Sequence, residues 1–117
     1  MKVSLLTREY PPEVYGGAGV HVEYLARALA ASGLVDLTVH CEGADRAGAV
    51  AHQPWDRLSD PVLRVFSEDL SMADQVSDAA VVHSHTWYAN LAGHLASLRY
   101  GIPVSYTHLT LPTTERV

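Results

Sequence analysis

The stretch "TREYPPEVYGGAGVHVEYLARALAASG", Thr7 to Gly33, decides the fold because it leads from a strand into a helix through a long loop. Before it, Val3 to Leu6 is a short apolar run bounded by polar residues and prolines, which is typical of a buried strand. From Gly19 to Ala31 the apolar residues recur at helical spacing, and Gly33 occupies the position of a helix stop. After it, Val35 to Cys41 alternates apolar and polar residues and predicts a second strand. A strand, a helix and a strand in this order indicate a crossover between parallel strands.

The middle of the chain is less regular. Residues 42–59 contain glycine, proline and acidic residues without a clear period, and we interpret them as a long connection with room for one short strand. Residues 67–76, "SEDLSMADQV", open with a serine and two acids, which predicts a helix that begins at an N-cap serine.

The repeating pattern returns in the second half. Residues 79–83 predict another short strand, and "ANLAGHLASLRYG" predicts a helix that ends at Gly101. We expect one face of this helix to carry Leu91, Leu95 and Leu98. Residues 102–104 are expected to open a fourth strand. The predicted fold class is therefore α/β, a partial Rossmann-like parallel sheet with flanking helices.

Composition excludes several classes of protein. The 117 residues are 48% hydrophobic and 18% charged, which indicates a folded chain rather than a disordered one. A net charge of -5 with only 8 Lys and Arg excludes a surface built to bind nucleic acid. Cys41 is the only cysteine, so no intrachain disulfide is possible. We therefore expect a cytoplasmic location. No apolar run approaches the length of a membrane span, and we expect no membrane partner.

Three glycines in the first loop suggest a ligand site. Gly16, Gly17 and Gly19 lack Cβ atoms just before a helix whose first N–H groups favour an anion. An equally acceptable interpretation is a tight turn in which glycine supplies positive φ. A dinucleotide fingerprint matches poorly, because its third glycine is Val22 here and the loop is too long.

The second loop, "HSHTW", concentrates His83, His85 and Trp87, which suit hydrogen bonding and stacking against a sugar. We expect the two histidines to point to opposite sides of the chain, so that a shared zinc ion would need a turn and further ligands. No metal or cofactor is expected, and no arrangement of residues indicates a self-contained catalytic centre.

Together, "KVSLLTREYPPEVYGGAGVHVEYLARALA" and "VVHSHTWYANLAGHLASLRYGIP" resemble the N-terminal domain of bacterial ADP-glucose-dependent glycogen synthases, in the branch that includes the α-maltose-1-phosphate synthases. The resemblance implies part of a GT-B fold. It also implies retaining transfer of glucose from ADP-glucose to an α-1,4-glucan or to glucose 1-phosphate in glycogen biosynthesis. It implies no cofactor.

The resemblance also implies roles for individual residues. Gly16, Gly17 and Gly19 match the glycine-rich loop that closes on the donor phosphates, although a lysine that some relatives place before that loop is absent here. His83, His85 and Trp87 match a segment that lines the acceptor side. The residues that manage the leaving diphosphate belong to a second domain, so we assign no catalytic residue and expect the 117-residue chain alone to be inactive.

The end of the chain departs from this pattern. We expect residues 1–103 to form a partial N-terminal domain and residues 104–117 to be a non-native tail, because that tail resembles translated sequencing-adapter read-through. His108 therefore receives no catalytic role. A stand-alone sugar-phosphate-binding module without catalysis is the alternative function, and a dinucleotide-dependent oxidoreductase would need a complete glycine fingerprint.

Overall fold

The computed structural model describes residues 1–14 and 16–107, which form a parallel sheet between helices. The strands are β1 Lys2–Leu6, β2 Asp36–Glu42, β3 Val50–His52, β4 Val81–His85 and β5 Val104–Thr107. The helices are α1 Gly17–Ser32, α2 Pro61–Asp74 and α3 Trp87–Tyr100. The strand order is β3-β2-β1-β4-β5, and every neighbouring pair is parallel. The predicted α/β class is confirmed.

Strand β1 is buried on both faces of the sheet. Adjacent side chains of a strand point to opposite faces, so Leu5 and Leu6, both fully buried, enter different cores. Leu5 packs in a cluster with Val22 and Ala26 of α1, whereas Leu6 packs in a cluster with Met72 of α2 and the small residues of α3. Helices thus cover the sheet on both sides, as parallel sheets require. None of the helices in the described part of the chain is long and apolar enough to span a bilayer.

Helix α2 begins six residues before the predicted start at Ser67, so the predicted cap was wrong. The cap is Asp60, whose carboxylate accepts hydrogen bonds from two backbone N–H groups of the first turn, and Pro61 follows at the first helical position. Ser67 is buried inside the helix and donates its hydroxyl to the Arg64 carbonyl. Strand β4 likewise lies two residues later than the predicted 79–83.

Helix α3 contacts the sheet with small residues. Its buried residues are Ala89, Ala92, Gly93 and Ala96, while Leu98 is 69% exposed. The cause is the close approach of helix and sheet, because a Cβ added at Gly93 would lie 3.0 Å from both Ser84 Cβ and Val104 Cγ1.

This close approach predicts the effect of Gly93→Ala. The added methyl overpacks the interface with β4 and β5, and we expect a loss of about 1 kcal/mol or more in the free energy of unfolding. The loss should occur although alanine raises helix propensity by about 1 kcal/mol. Urea denaturation followed by circular dichroism measures it. His94→Ala, at the exposed next position, should leave stability unchanged or raise it, and a Gly93→Ala protein as stable as wild type would contradict the prediction.

Candidate functional site

The two loops singled out in the sequence meet at the carboxyl ends of β1 and β4. The strand order reverses between these two strands, and ligands of open α/β sheets collect at such a crevice. His85 Nε2 lies 3.1 Å from the Ala18 carbonyl oxygen. Because a carbonyl oxygen only accepts, Nε2 carries the hydrogen and donates the hydrogen bond. The His21 ring stacks on the His85 ring with centroids 5.1 Å apart. Both contacts hold the first turn of α1 against β4.

The glycines of the first loop do not supply positive φ, so the tight-turn interpretation was wrong. Gly16 has φ -162° and ψ -169°, which is extended backbone, and positive φ occurs at other glycines. A Cβ on Gly16 or Gly17 would meet no atom within 4 Å. A Cβ on Gly19 would lie 2.5 Å from Glu9 Oε1 and 2.8 Å from Val14 Cγ1. Gly19 thus serves packing, whereas Gly16 and Gly17 leave bare backbone facing open space.

The N-terminus of α1 presents backbone N–H groups. Its N-cap residue is Gly16, which has no side chain to accept from them, and the first turn contains no acidic residue. The first N–H groups and the partial positive charge of a helix favour a negatively charged group, and the Glu9 carboxylate lies beside this turn, against Gly19. The nearby cavity of about 40 Å³, lined by residues that include Gly19, His85 and Thr86, accommodates only a few atoms.

His83 and His85 share a face of the sheet, and the expectation that they point to opposite sides was wrong. Residues two apart in a strand lie on the same face, and the two ring centroids are 6.4 Å apart. His83 nevertheless interacts elsewhere, because its Nδ1 lies 2.7 Å from Ser105 Oγ and its Nε2 lies 2.8 Å from Thr107 Oγ1. Burial, and secondarily the charge of His21, lowers the pKa of His83.

Trp87 contacts an aromatic neighbour. Its ring stacks on Tyr88 with centroids 4.1 Å apart, and both rings line a groove beside the start of α2. The structure therefore brings His85 into contact with the glycine segment, whereas His83 bonds to Ser105 and Thr107 of β5 and Trp87 stacks on Tyr88. His108 lies outside the described residues, as does most of the predicted tail, whereas 104–107 form β5.

Thr86 joins β4 to α3 in a strained conformation. Its φ of 67° and ψ of 167° fall in a region that side-chain-bearing residues rarely adopt. The Thr86 N–H donates to the Thr107 carbonyl at 2.9 Å, which helps to hold this geometry. Strain of this kind is concentrated at ligand sites, and here it borders the crevice.

Arg8 is a crevice residue that the sequence reasoning missed. Its guanidinium carbon lies 4.1 Å above the Tyr88 ring, and its Nε lies 3.9 Å from Glu42 Oε1. The available signal was the position of a charged residue two places after the apolar run that ends at Leu6. Arg8 lines the small cavity and also a larger one of about 320 Å³ beside it.

A group of buried carboxyls lies behind Arg8. Burial, with smaller contributions from Glu68 and Asp69, raises the pKa of Glu42 to about 9. Burial, followed by the charge of Glu68, raises the pKa of Asp69 to about 8. The charge of Glu68 also acts on Glu42, so these two carboxyls are close enough to influence each other's pKa. Within residues 1–14 and 16–107, no group of three or more His, Cys, Asp or Glu side chains is placed to hold a metal ion.

The raised pKa of Asp69 makes stability depend on pH. Its folded-state pKa of about 8 exceeds the ordinary 3.8, so the folded chain binds more protons than the unfolded chain between these values. The free energy of unfolding should therefore fall as the pH rises from about 4 to about 8, by up to about 1.4 kcal/mol per pH unit for this group. Asp69→Asn should flatten that fall. Urea unfolding at several pH values measures the slope.

A matched control for this prediction is Asp74→Asn, at an exposed position of the same helix. It should retain the slope of the wild-type chain. Parallel stability curves for wild type and Asp69→Asn across this pH range would contradict the prediction.

Comparison with known proteins gives a consistent result. Residues 15–113 match the model of Glycosyltransferase Family 4. The chain is 57% identical over 105 residues to α-maltose-1-phosphate synthases of Mycolicibacterium smegmatis and Mycobacterium tuberculosis, covering 88% of this chain and 27% of each synthase. It is 30% identical over 118 residues to a D-inositol 3-phosphate glycosyltransferase of Acidothermus cellulolyticus, covering 82% of this chain and 26% of that protein.

The chain thus spans about a quarter of the length of the curated relatives that it matches. The resemblance stated from the two loop segments is confirmed at the level of the family. Because the family model matches 15–113, most of the 117 residues, the chain belongs to Glycosyltransferase Family 4.

Proposed function

We propose that this chain is part of a retaining glucosyltransferase that moves glucose from ADP-glucose to an α-1,4-glucan or to glucose 1-phosphate in glycogen biosynthesis. The observation that carries the proposal is the bare backbone of Gly16 and Gly17 at the N-terminus of α1, where the N-cap residue has no side chain. Membership of Glycosyltransferase Family 4 and the identity to α-maltose-1-phosphate synthases support it.

In the proposed reaction the bond between the glucose C1 and the diphosphate oxygen breaks, and negative charge develops on the leaving ADP. Backbone N–H groups at the start of α1 stabilise this charge without reorganisation, because the helix fixes their direction. The absence of Cβ atoms at Gly16 and Gly17 permits the close approach that such hydrogen bonds need.

His85 has a positioning role in this proposal. Its Nε2 proton is committed to the Ala18 carbonyl, so the imidazole fixes the glycine segment. We assign acceptor positioning to His83, His85 and Trp87 and no catalytic role to any of them. The groups that assist departure of ADP are assigned to a second domain, so the 117-residue chain alone should not turn over ADP-glucose.

A chimaera tests the proposed activity. Residues 1–107 of this chain would replace the matching segment of the Mycolicibacterium smegmatis α-maltose-1-phosphate synthase. We expect the chimaera to release ADP from ADP-glucose only when glucose 1-phosphate or an α-glucan is added, and the isolated 117-residue chain to release none. A folded chimaera that is inactive with both acceptors, or an active isolated chain, would remove the proposal.

Gly17→Ala, made in the same chimaera, tests the phosphate site. The methyl enters open space in the crevice, so we expect it to raise the KM for ADP-glucose at least about tenfold. The change should not lower the melting temperature, since the added methyl meets no atom of the fold. Steady-state kinetics and thermal melts measure the two effects. Arg27→Ala, exposed in the same helix, should change neither KM nor kcat, and an unchanged KM in Gly17→Ala would show that the phosphates do not approach this backbone.

A further inference from the structure

Arg46 ties the loop between β1 and α1 to the chain that follows β2. Its Nη1 donates to the Tyr10 carbonyl at 2.6 Å, and its Nη2 donates to Glu13 Oε1 at 2.8 Å. Two more hydrogen bonds run to backbone carbonyls close to Arg46 in sequence, those of Glu42 at 3.2 Å and Ala44 at 2.9 Å. The Glu13 N–H also donates to the Tyr10 carbonyl at 3.1 Å, which closes a turn. These bonds form a clamp, in which Arg46 holds the turn of residues 10–13.

The guanidinium of the clamp is almost fully buried. The Arg46 side chain is 4% exposed, and the Glu13 side chain, which balances its charge, is 48% exposed. A buried guanidinium must replace its bound water with hydrogen-bond acceptors, and its planar group offers N–H bonds in fixed directions. Moving the turn away from Arg46 would leave buried donors unpaired, so the clamp holds the turn in one position.

Gly43 provides the space for the clamp. Its φ of 110° lies in the region that favours glycine. A Cβ at this position would lie 2.9 Å from Arg46 Nη2 and 3.2 Å from Glu13 Oε1. The glycine thus lets the ion pair lie directly against the backbone at the end of β2.

The clamped turn lies directly against α1. Tyr10 packs on the apolar cluster that includes Val22 and Ala26 of this helix. Val14 follows the turn, and its Cγ1 lies 2.8 Å from the position that a Gly19 Cβ would take. Because the turn contacts α1 through Tyr10 and through Val14, a displacement of the turn would displace the first residues of the helix.

We propose that Arg46 is a positioning residue for the donor diphosphate. It holds the turn of residues 10–13, and the turn holds Gly16 and Gly17 where their backbone faces open space. The inference rests on the proposed function, since it takes these two glycines as the contact of the diphosphate. Arg46 acts only through the backbone in this role, so its loss should weaken binding of the donor and leave binding of the acceptor unchanged.

Amide hydrogen exchange of the 117-residue chain tests the clamp without any reaction. Arg46→Lys retains the charge but places all donors on one nitrogen, which cannot reproduce the four bonds. We expect exchange to become at least about fivefold faster at the Glu13 N–H and at the Val20 N–H, which bonds to the Gly16 carbonyl. The Val82 N–H, which bonds to the Pro103 carbonyl in the sheet, should exchange at the wild-type rate.

Kinetics of the chimaera test whether the clamp serves the donor. Arg46→Lys should raise the KM for ADP-glucose at least about fivefold, and should leave kcat and the KM for the acceptor within about twofold of wild type. Simple destabilisation would instead reduce the active fraction, which lowers kcat at an unchanged KM. Arg57→Ala, an exposed arginine in the connection before α2, is the matched control and should change none of these values.

Several outcomes would overturn the positioning role. Unchanged exchange at Glu13 and Val20 would show that Arg46 does not hold the turn, and equal acceleration at Val82 would show a general loss of stability. An active chimaera whose KM for ADP-glucose does not respond to Arg46→Lys would remove this role and leave the proposed reaction. A wild-type chimaera without activity would remove both. If Arg46→Lys does not fold, Glu13→Ala decides instead, and a wild-type KM for ADP-glucose in that variant overturns the inference.

Discussion

The burial of β1 on both faces is the constraint on which the rest of the structure depends. Leu5 and Leu6 commit the strand to two separate cores, so α1 must lie on one face and α2 with α3 on the other. The strand then has no freedom to shift by one residue, because a shift would exchange the two faces. This fixed register carries Arg8 to the crevice beside His85.

The same register explains why polar groups accumulate at one end of the sheet. The strands are parallel, so their carboxyl ends share an edge, and β2 ends with Glu42 just as β1 ends before Arg8. The carboxyls of Glu42, Glu68 and Asp69 lie too deep for full hydration, which raises the pKa of each. Arg8 compensates part of the remaining charge while its guanidinium stacks on Tyr88.

Sequence reasoning succeeded where the signal was local. The first strand, α1 and the second strand lie within about two residues of their predicted bounds, because side-chain period and glycine stops act within each element. The meeting of the two loops depends on the strand order, which places β1 beside β4. The contact of α3 with the sheet through small residues was not predicted, because the close approach of Gly93 to β4 and β5 leaves no helical period in the sequence. The pairs Arg8–Tyr88 and Glu42–Glu68 join distant parts of the chain and left no local pattern.

The three glycines of the segment Gly16 to Gly19 differ in the space around them: one is packed against the loop and two face open space. Gly19 is needed because Glu9 and Val14 occupy the space of its Cβ, so this glycine fixes the loop on the helix. Gly16 and Gly17 have empty space where Cβ atoms would stand, and neither has a backbone angle that demands glycine. Packing therefore does not require glycine at Gly17, the first residue of α1. The phosphates of the proposed donor would account for this glycine, because they would need to approach the backbone closely, while His21 and His85 hold that backbone in place.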